Sequence, residues 1–299
     1  MWTEGESATA LRWAHAGSGL AWALVFYVSG FVAVQLTAWM LRPLTDDRLL
    51  LSALPVAAVA LLLNLLLPLP LGVRRWSGLG LHFDRAAWFQ AGLGLLLSAA
   101  LAAAVVGVQL ALGLVEIEPA VPSDPLFAGP LGGPGLAAGF FAVAAAGEEL
   151  AFRGYGFQQL ARAFTPAGAA VATAVFFGFV HGDNPAVTEL AVANTILFGL
   201  IFGLALVWSR SWWLPFGLHL GWNLTLGLLG ARISGITMKI SWREIVVLDH
   251  SVWGGGFYGP EASLLATLGA AAMAAVLWRV RRPVACHLIW SDAADLEQR

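Results

Sequence analysis

The chain has 299 residues, of which 59% are hydrophobic and only 11% are charged. Soluble domains are about 45–50% apolar and about 25% charged, so this composition excludes an ordinary water-soluble protein and predicts an all-α, polytopic membrane protein. The net charge of −2 and the lack of a basic patch give no basis for a nucleic-acid partner.

Eight apolar stretches follow one another along the sequence. A stretch of about 20 apolar residues is long enough to cross the roughly 30 Å of a bilayer core, so we expect about eight transmembrane helices in one bundle. In chain order the stretches are 17–41, 49–71, 87–115, 135–160, 166–182, 188–208, 211–230 and 261–280. The connection 231–260 carries charges and ends in three glycines, which indicates an extramembrane or re-entrant loop of unassigned role.

This order divides the chain into three parts. Residues 1–134 hold the first three helices, residues 135–230 hold a core of helices four to seven, and residues 231–299 hold the loop, the last helix and a tail. The bias of Arg and Lys among the loops predicts a cell-membrane protein with both termini in the cytoplasm. The single cysteine, Cys286, excludes an internal disulfide and is either a free thiol or a palmitoylation site.

The fourth stretch contains three charged residues within six positions: Glu148, Glu149 and Arg153. A charge at the centre of a membrane helix costs about 2.5–3.5 kcal/mol on insertion scales, so these residues either lie at a helix end or face a polar cavity. The apolar run before them is too short to span alone, which favours the cavity. On a helix Glu149 and Arg153 face each other, so Arg153 would orient that carboxylate and leave Glu148 for general base chemistry.

Two histidines lie on the fifth and seventh stretches. Phe177 and His181 are spaced i, i+4, and so are His219 and Asn223, which places each pair on one helix face. Singly, each polar residue is explained by interfacial or interhelical hydrogen bonding. Together with Glu148 they favour one buried site. Glycines at GxxxG spacing bracket both histidines and predict close helix packing: Gly178, Gly182, Gly217 and Gly221.

These three motifs, in this order, resemble the CAAX prenyl protease and bacteriocin-processing family, also called the Abi family of intramembrane peptidases. The family pattern is E-E-x-x-x-R, then F-x-x-x-H, then H-x-x-x-N, and residues 135–230 contain all three. The resemblance implies an endopeptidase in which Glu148, assisted by His181, activates water. It implies that His219 and Asn223 stabilise the oxyanion. The full set of implied site residues is Glu148, Glu149, His181, His219 and Asn223, with Arg153 and Phe177 in support.

The metal requirement stays open, because family members are described both as metalloproteases and as glutamate peptidases. The sequence contains no H-E-x-x-H pair, and we expect no tightly bound catalytic metal. If a divalent metal such as zinc is present, Glu148, His181 and His219 would be its ligands.

The substrate is expected to be a peptide or a membrane-protein segment, processed in CAAX or bacteriocin fashion; the oligomeric state is not indicated. A catalytically silent scaffold or binding protein is the first alternative function. A proton-coupled transporter is the second, since buried Glu and His also form proton relays. A transporter needs a polar path, for which the other spans offer only Asn64, Gln109 and Asn194.

Overall fold

A computed structural model describes residues 4–45, 48–69, 76–123, 127, 133–280, 283 and 288–291, with only the backbone described for residues 4–15 and 48–49. Within these ranges the chain forms nine α-helices and a two-stranded sheet. The helices are α1 Glu4–Leu41, α2 Arg48–Leu66, α3 Arg85–Ala111, α4 Pro134–Arg153, α5 Tyr155–Ala163, α6 Pro166–Val180, α7 Glu189–Ser209, α8 Trp213–Leu229 and α9 Leu264–Val280. The strands are β1 Val115–Pro119 and β2 Arg243–Val247.

The architecture is that of a helical membrane protein, as predicted, but the number of eight spans is not established by helix length. Among the described residues, four segments are long and apolar enough to cross a membrane: Ala16–Leu41, Arg85–Ala111, Pro134–Ala163 and Glu189–Ser209. Helix α6 is also apolar but has only 15 residues. At a rise of about 1.5 Å per residue it extends roughly 22 Å, which is less than a bilayer core.

The fourth predicted stretch is not one continuous helix. The helical dihedrals stop at Gly154, which has φ −82° and ψ −142°, and this residue separates α4 from α5. The side chain of Asn64 on α2 fills the break: its Oδ1 accepts from Tyr155 N at 2.6 Å, and its Nδ2 donates to Leu150 O at 3.0 Å. A Cβ at position 154 would collide with Asn64, so glycine is required there. The break makes Arg153 the last residue of α4.

Helices α3 and α8 pack with their backbones close together. Gly217 and Gly221 of α8 lie against the backbone of Ala91 and Leu95, and Gly94 of α3 lies against the backbone of α8. A methyl group at any of these three glycines would meet the backbone of the other helix. The GxxxG spacing around His219 therefore fixes the helix that carries this histidine against a long neighbour.

Helix α6 packs in a similar way against α7. A Cβ on Gly178 would collide with Ile196, and one on Gly199 would press against the backbone of Ala174. Gly182 is different, because it lies in the turn after α6 and its nearest neighbour is the carbonyl of its own preceding turn. Only the first glycine of the pair around His181 thus serves the predicted helix contact.

The connection between α8 and α9 contains β2, one strand of the small sheet. The sequence patterns did not predict this sheet. Strand β2 pairs antiparallel with β1 from Val115 opposite Val247 to Pro119 opposite Arg243. The side chain of Gln109 donates to the carbonyls of Trp253 and Gly254 at 3.1 Å, which ties the connection to α3. The predicted loop 231–260 is therefore a structured cover that packs on the helices.

The predicted orientation of the chain stays a prediction. It depends on loop cations, and Arg74, Arg75, Arg281 and Arg282 lie outside the described residues, as does Cys286.

Candidate active site

A cavity of about 640 Å³ lies among α1, α2, α4, α6, α7, α8 and the connection before α9. Its wall is mainly aromatic and aliphatic, and its volume falls in the range of pockets that hold small ligands or peptide segments. Four of the predicted catalytic residues line it: Glu148, His181, His219 and Asn223. The structure thus brings these side chains from α4, from α8 and from the residue that follows α6 to one cavity.

Glu148 lies between the two histidines. Its Oε2 atom is 3.7 Å from His219 Nε2 and 4.0 Å from His181 Nε2. The Glu148 side chain is 29% exposed and the His181 side chain is 16% exposed, so both are reachable from the cavity. A carboxylate oxygen and two imidazole nitrogens therefore face one small volume, which suits proton transfer.

The orientation of His181 is set by the residue one turn before it. Nδ1 of His181 lies 2.7 Å from the carbonyl oxygen of Phe177, and the two rings are 4.4 Å apart. A carbonyl oxygen only accepts, so Nδ1 carries the hydrogen and donates it. In the neutral ring the lone pair is then on Nε2, directed toward Glu148.

Glu149 does not line the cavity, but its carboxylate accepts hydrogen bonds from two residues beside it. Its Oε1 accepts from Arg153 Nη1 at 3.1 Å and from His219 Nδ1 at 2.9 Å. Both Glu149 and Arg153 have side chains with 0% exposure, and Arg153 Nη2 donates to the carbonyl of Gly199 at 2.8 Å. This buried pair links α4, α7 and α8 at the back of the site.

Aromatic rings enclose the buried guanidinium. Its carbon lies 5.0 Å from the centre of the Phe177 ring, 5.4 Å from that of Phe202 and 5.7 Å from that of Phe152. The His219 ring stacks on Phe202 with a centroid distance of 5.2 Å. Cation–π contacts of this kind help to stabilise a charge that is withdrawn from water. Phe177 therefore supports the site through both its carbonyl and its ring.

The sequence reasoning missed Glu261, which also lines the cavity. Its Oε1 accepts from the indole of Trp222 at 2.9 Å, and its Oε2 accepts from the backbone N–H and the hydroxyl of Ser234. Burial raises the pKa of the Glu261 carboxyl, against the effect of these hydrogen bonds. The one signal in the sequence was an isolated acid at the start of the eighth stretch.

The structure brings the three residues of the alternative zinc set close together. Among the described residues, no group of three or more His, Cys, Asp or Glu side chains has an arrangement that could hold a metal ion. In the alternative zinc set, the Nε2 atoms of His181 and His219 lie 4.0 Å and 3.7 Å from Glu148 Oε2. These separations are a few tenths of an ångström wider than those between donors bound to one tetrahedral zinc, so both the alternative zinc set and the expectation of no tightly bound metal stay predictions.

Residues 130–225 match a family model described as type II CAAX prenyl endopeptidase Rce1-like. No curated protein and no solved structure gives a significant match. The matched range contains all three sequence motifs and ends shortly after Asn223, so Glu261 lies outside it. The resemblance inferred from the motifs is thereby confirmed at the level of the domain.

Proposed function

We propose, from the premise that residues 130–225 form a domain of the CAAX prenyl protease family, that this membrane protein is an intramembrane endopeptidase that uses water. One observation carries the proposal most directly. The Oε2 atom of Glu148 faces the Nε2 atoms of both His181 and His219 within 4.0 Å, inside a largely apolar cavity.

The first step is activation of water. A water molecule that donates its hydrogens to Glu148 Oε2 and His181 Nε2 is held with its oxygen toward the substrate. As this oxygen attacks the peptide carbonyl carbon, one proton passes to Glu148, and the carbonyl electron pair moves onto the oxygen. His181 suits the second acceptor role because its Nδ1 is committed to Phe177.

The second step is stabilisation of the resulting oxyanion. Asn223 and His219 line the same cavity one turn apart on α8, so both can present N–H groups to it. His219 already donates from Nδ1 to Glu149. It therefore donates from Nε2 when the ring is an imidazolium or when Glu149 carries the proton. Arg153 donates to the same Glu149 oxygen and so fixes the carboxylate that orients the His219 ring.

Collapse of the intermediate completes the reaction. The carbonyl double bond re-forms, the C–N bond breaks, and Glu148 returns its proton to the leaving amine. The products are one carboxylic acid and one amine, and the enzyme is restored. Substrates of CAAX or bacteriocin type, or tails of other membrane proteins, present the required peptide bond.

The transporter alternative gains no support from the buried amides. Each of the three amides that a polar path would use is hydrogen-bonded to backbone carbonyls at a break or a connection: Asn64, Gln109 and Asn194. They stabilise the fold at these points, so none of the three marks a polar path across the membrane.

The proposed function is tested by identifying the new peptide termini that cleavage produces in membranes. Cells that express the parent or Glu148→Gln are compared by proteomics of new N- and C-termini, with the exposed Glu189→Gln as a matched control outside the cavity. We expect a set of termini that is present with the parent and the control and is lost with Glu148→Gln. Identical sets in all three would overturn the proposal.

We further propose that hydrolysis needs no tightly bound metal. Metal analysis of the purified full-length protein is expected to give well under one divalent ion per chain, and chelation is expected to leave cleavage unchanged. A ratio near one per chain, together with loss of activity on chelation, would contradict this.

A further inference from the structure

More carboxylates than cationic groups line the cavity that holds Glu148, even when His219 is an imidazolium. Three carboxylate residues line it, Glu148, Asp183 and Glu261, whereas no Lys or Arg among the described residues does so. Arg153 lies behind the wall and is bound to Glu149. The field in such a chamber favours entry of a cation and disfavours a free carboxylate.

Glu261 is held rigidly at this wall. Two of its partners, the Trp222 indole and the Ser234 backbone N–H, can only donate, so both carboxylate oxygens are fixed as acceptors. Its backbone is fixed as well, because Asn194 Nδ2 donates to the carbonyls of Glu261 at 2.7 Å and Ser263 at 3.0 Å. Each carboxylate oxygen has lone-pair capacity beyond these bonds, which a ligand N–H can use.

Further acceptors surround this carboxylate. The hydroxyl of Thr195 donates to Ala191 O, and that of Ser234 donates to Glu261, so both cavity-lining oxygens remain able to accept. Asn184 also lines the cavity. Acceptors are thus contributed by the turn after α6, by α7 and by the connection before α9.

Tyr258 lies behind this part of the wall. It is 1% exposed and is not among the residues that line the cavity. Burial, and then the charge of Glu261, raise the pKa of this phenol, and hydrogen bonds with Ser234, Thr195 and Asn184 act against that shift. Tyr258 therefore helps to fix the side chains of these three residues, which themselves line the cavity.

We propose that these groups form a subsite for a cationic group of the substrate, a Lys or Arg side chain or a free amino group. The members of the subsite are Glu261, Ser234, Thr195 and Asn184. An ammonium offers three N–H donors and a guanidinium five, which suits a pocket made of acceptors. The inference rests on the proposed function for the identity of the ligand as a substrate. It predicts that the protein prefers peptide substrates with a basic group near the scissile bond.

Binding tests the subsite without turnover. The probe is a fluorescently labelled apolar peptide that carries Lys, Arg or Glu at one position, with a free or an acetylated amino terminus. Purified full-length Glu148→Gln protein binds it in detergent micelles, and fluorescence anisotropy gives Kd. We expect Lys and Arg peptides to bind at least about tenfold more tightly than the Glu peptide, about 1.4 kcal/mol. If the affinity depends only on whether the amino terminus is free or acetylated, the recognised cationic group is the terminal amine.

Variants identify the residues that cause the preference for Lys and Arg peptides. Adding Glu261→Gln is expected to reduce the Lys-over-Glu ratio to below about threefold, whereas the exposed Glu189→Gln leaves it unchanged. Asp183→Asn removes an exposed wall charge without touching the bonds of Glu261 and reduces the ratio by about twofold, which keeps the test decisive if the Glu261→Gln protein does not fold. Equal binding of Lys and Glu peptides, or a ratio unaffected by both variants, would overturn the subsite.

Cleavage of the same peptides by the parent separates this inference from the proposed function. Charge-dependent binding through Glu261 without any cleavage would sustain the subsite and count against the peptidase. Cleavage with no dependence on charge would sustain the peptidase and overturn the subsite.

Discussion

The carboxylate of Glu149 accepts a hydrogen bond of 2.9 Å from Nδ1 of His219, seventy residues further along the chain. This bond connects the first motif of the family pattern, which contains both glutamates, to the third motif. It also fixes the ring of His219 with Nε2 toward Glu148.

Loss of the buried cation is expected to destabilise the protein. Arg153→Ala leaves the buried Glu149 carboxylate without its guanidinium partner, with only His219 still bonded to it, and removes the bond to Gly199. Breaking a buried pair in this way typically costs about 3–5 kcal/mol. Thermal unfolding in detergent measures the change. Arg279→Ala, at the exposed end of α9, is the matched control and is expected to change stability by less than about 0.5 kcal/mol. Equal unfolding temperatures for the two variants would refute the role of the pair.

Removal of an oxyanion donor is expected to lower kcat rather than to raise KM. Asn223→Ala keeps the shape of α8 but deletes an amide from the cavity, and loss of one such donor typically costs a factor of about 10²–10³ in kcat. Steady-state kinetics on any peptide that the parent cleaves gives both constants. A change confined to KM would assign Asn223 to substrate binding instead.

The close approach of α3 and α8 is expected to tolerate no added methyl group. Gly217→Ala places a Cβ against the backbone of Ala91 and moves the helix that carries His219. Overpacking of this kind costs about 1–3 kcal/mol. Gly107→Ala, on α3 itself, has nothing within 4 Å of the new Cβ and serves as the control, with an unchanged or slightly higher unfolding temperature. If both variants unfold like the parent, the helices are not packed at this glycine.

The start of α3 is expected to give a defined pH dependence. Asp84 caps this helix by accepting from Ala87 N at 2.9 Å, and it also faces His82 Nδ1 at 2.9 Å. The backbone bond, followed by the one from His82, lowers the pKa of Asp84. A lowered pKa means that the stabilisation is complete above the ordinary aspartate value and is lost as pH falls through the lowered one.

Asp84→Asn is therefore expected to lower the unfolding temperature at neutral pH and to approach the parent in strong acid. Unfolding scans of both proteins across acidic pH measure this difference. A difference that grows toward low pH would contradict the assignment.

The helices follow from local patterns that the sequence displays, whereas the convergence of the three motifs is expected from their shared resemblance to one family. Apolar runs locate most of the described helices to within a few residues, apart from the earlier start of α1 and the break at Gly154. The i, i+4 spacing places Glu149 beside Arg153 without knowledge of the fold.

The features that sequence reasoning missed all depend on partners that are distant in the chain. The break after Arg153 is stabilised by Asn64, ninety-one residues before Tyr155. Strand β1 pairs with β2 across more than a hundred residues. Glu261 reaches the cavity because Trp222 and Ser234 hold it there. Periodicity within a window of one helix carries no information on such pairs.

The most direct measurement is cleavage by the purified full-length protein in lipid vesicles, with the parent, Glu148→Ala and His181→Ala compared on one peptide substrate. His82→Ala is the control, since its ring lies between Asp84 and Ser211, outside the cavity wall. Hydrolysis through Glu148 and His181 predicts that the parent and His82→Ala cleave and that the other two variants, still folded, are slower by at least about 10². Cleavage at the parental rate by folded Glu148→Ala and His181→Ala would contradict it.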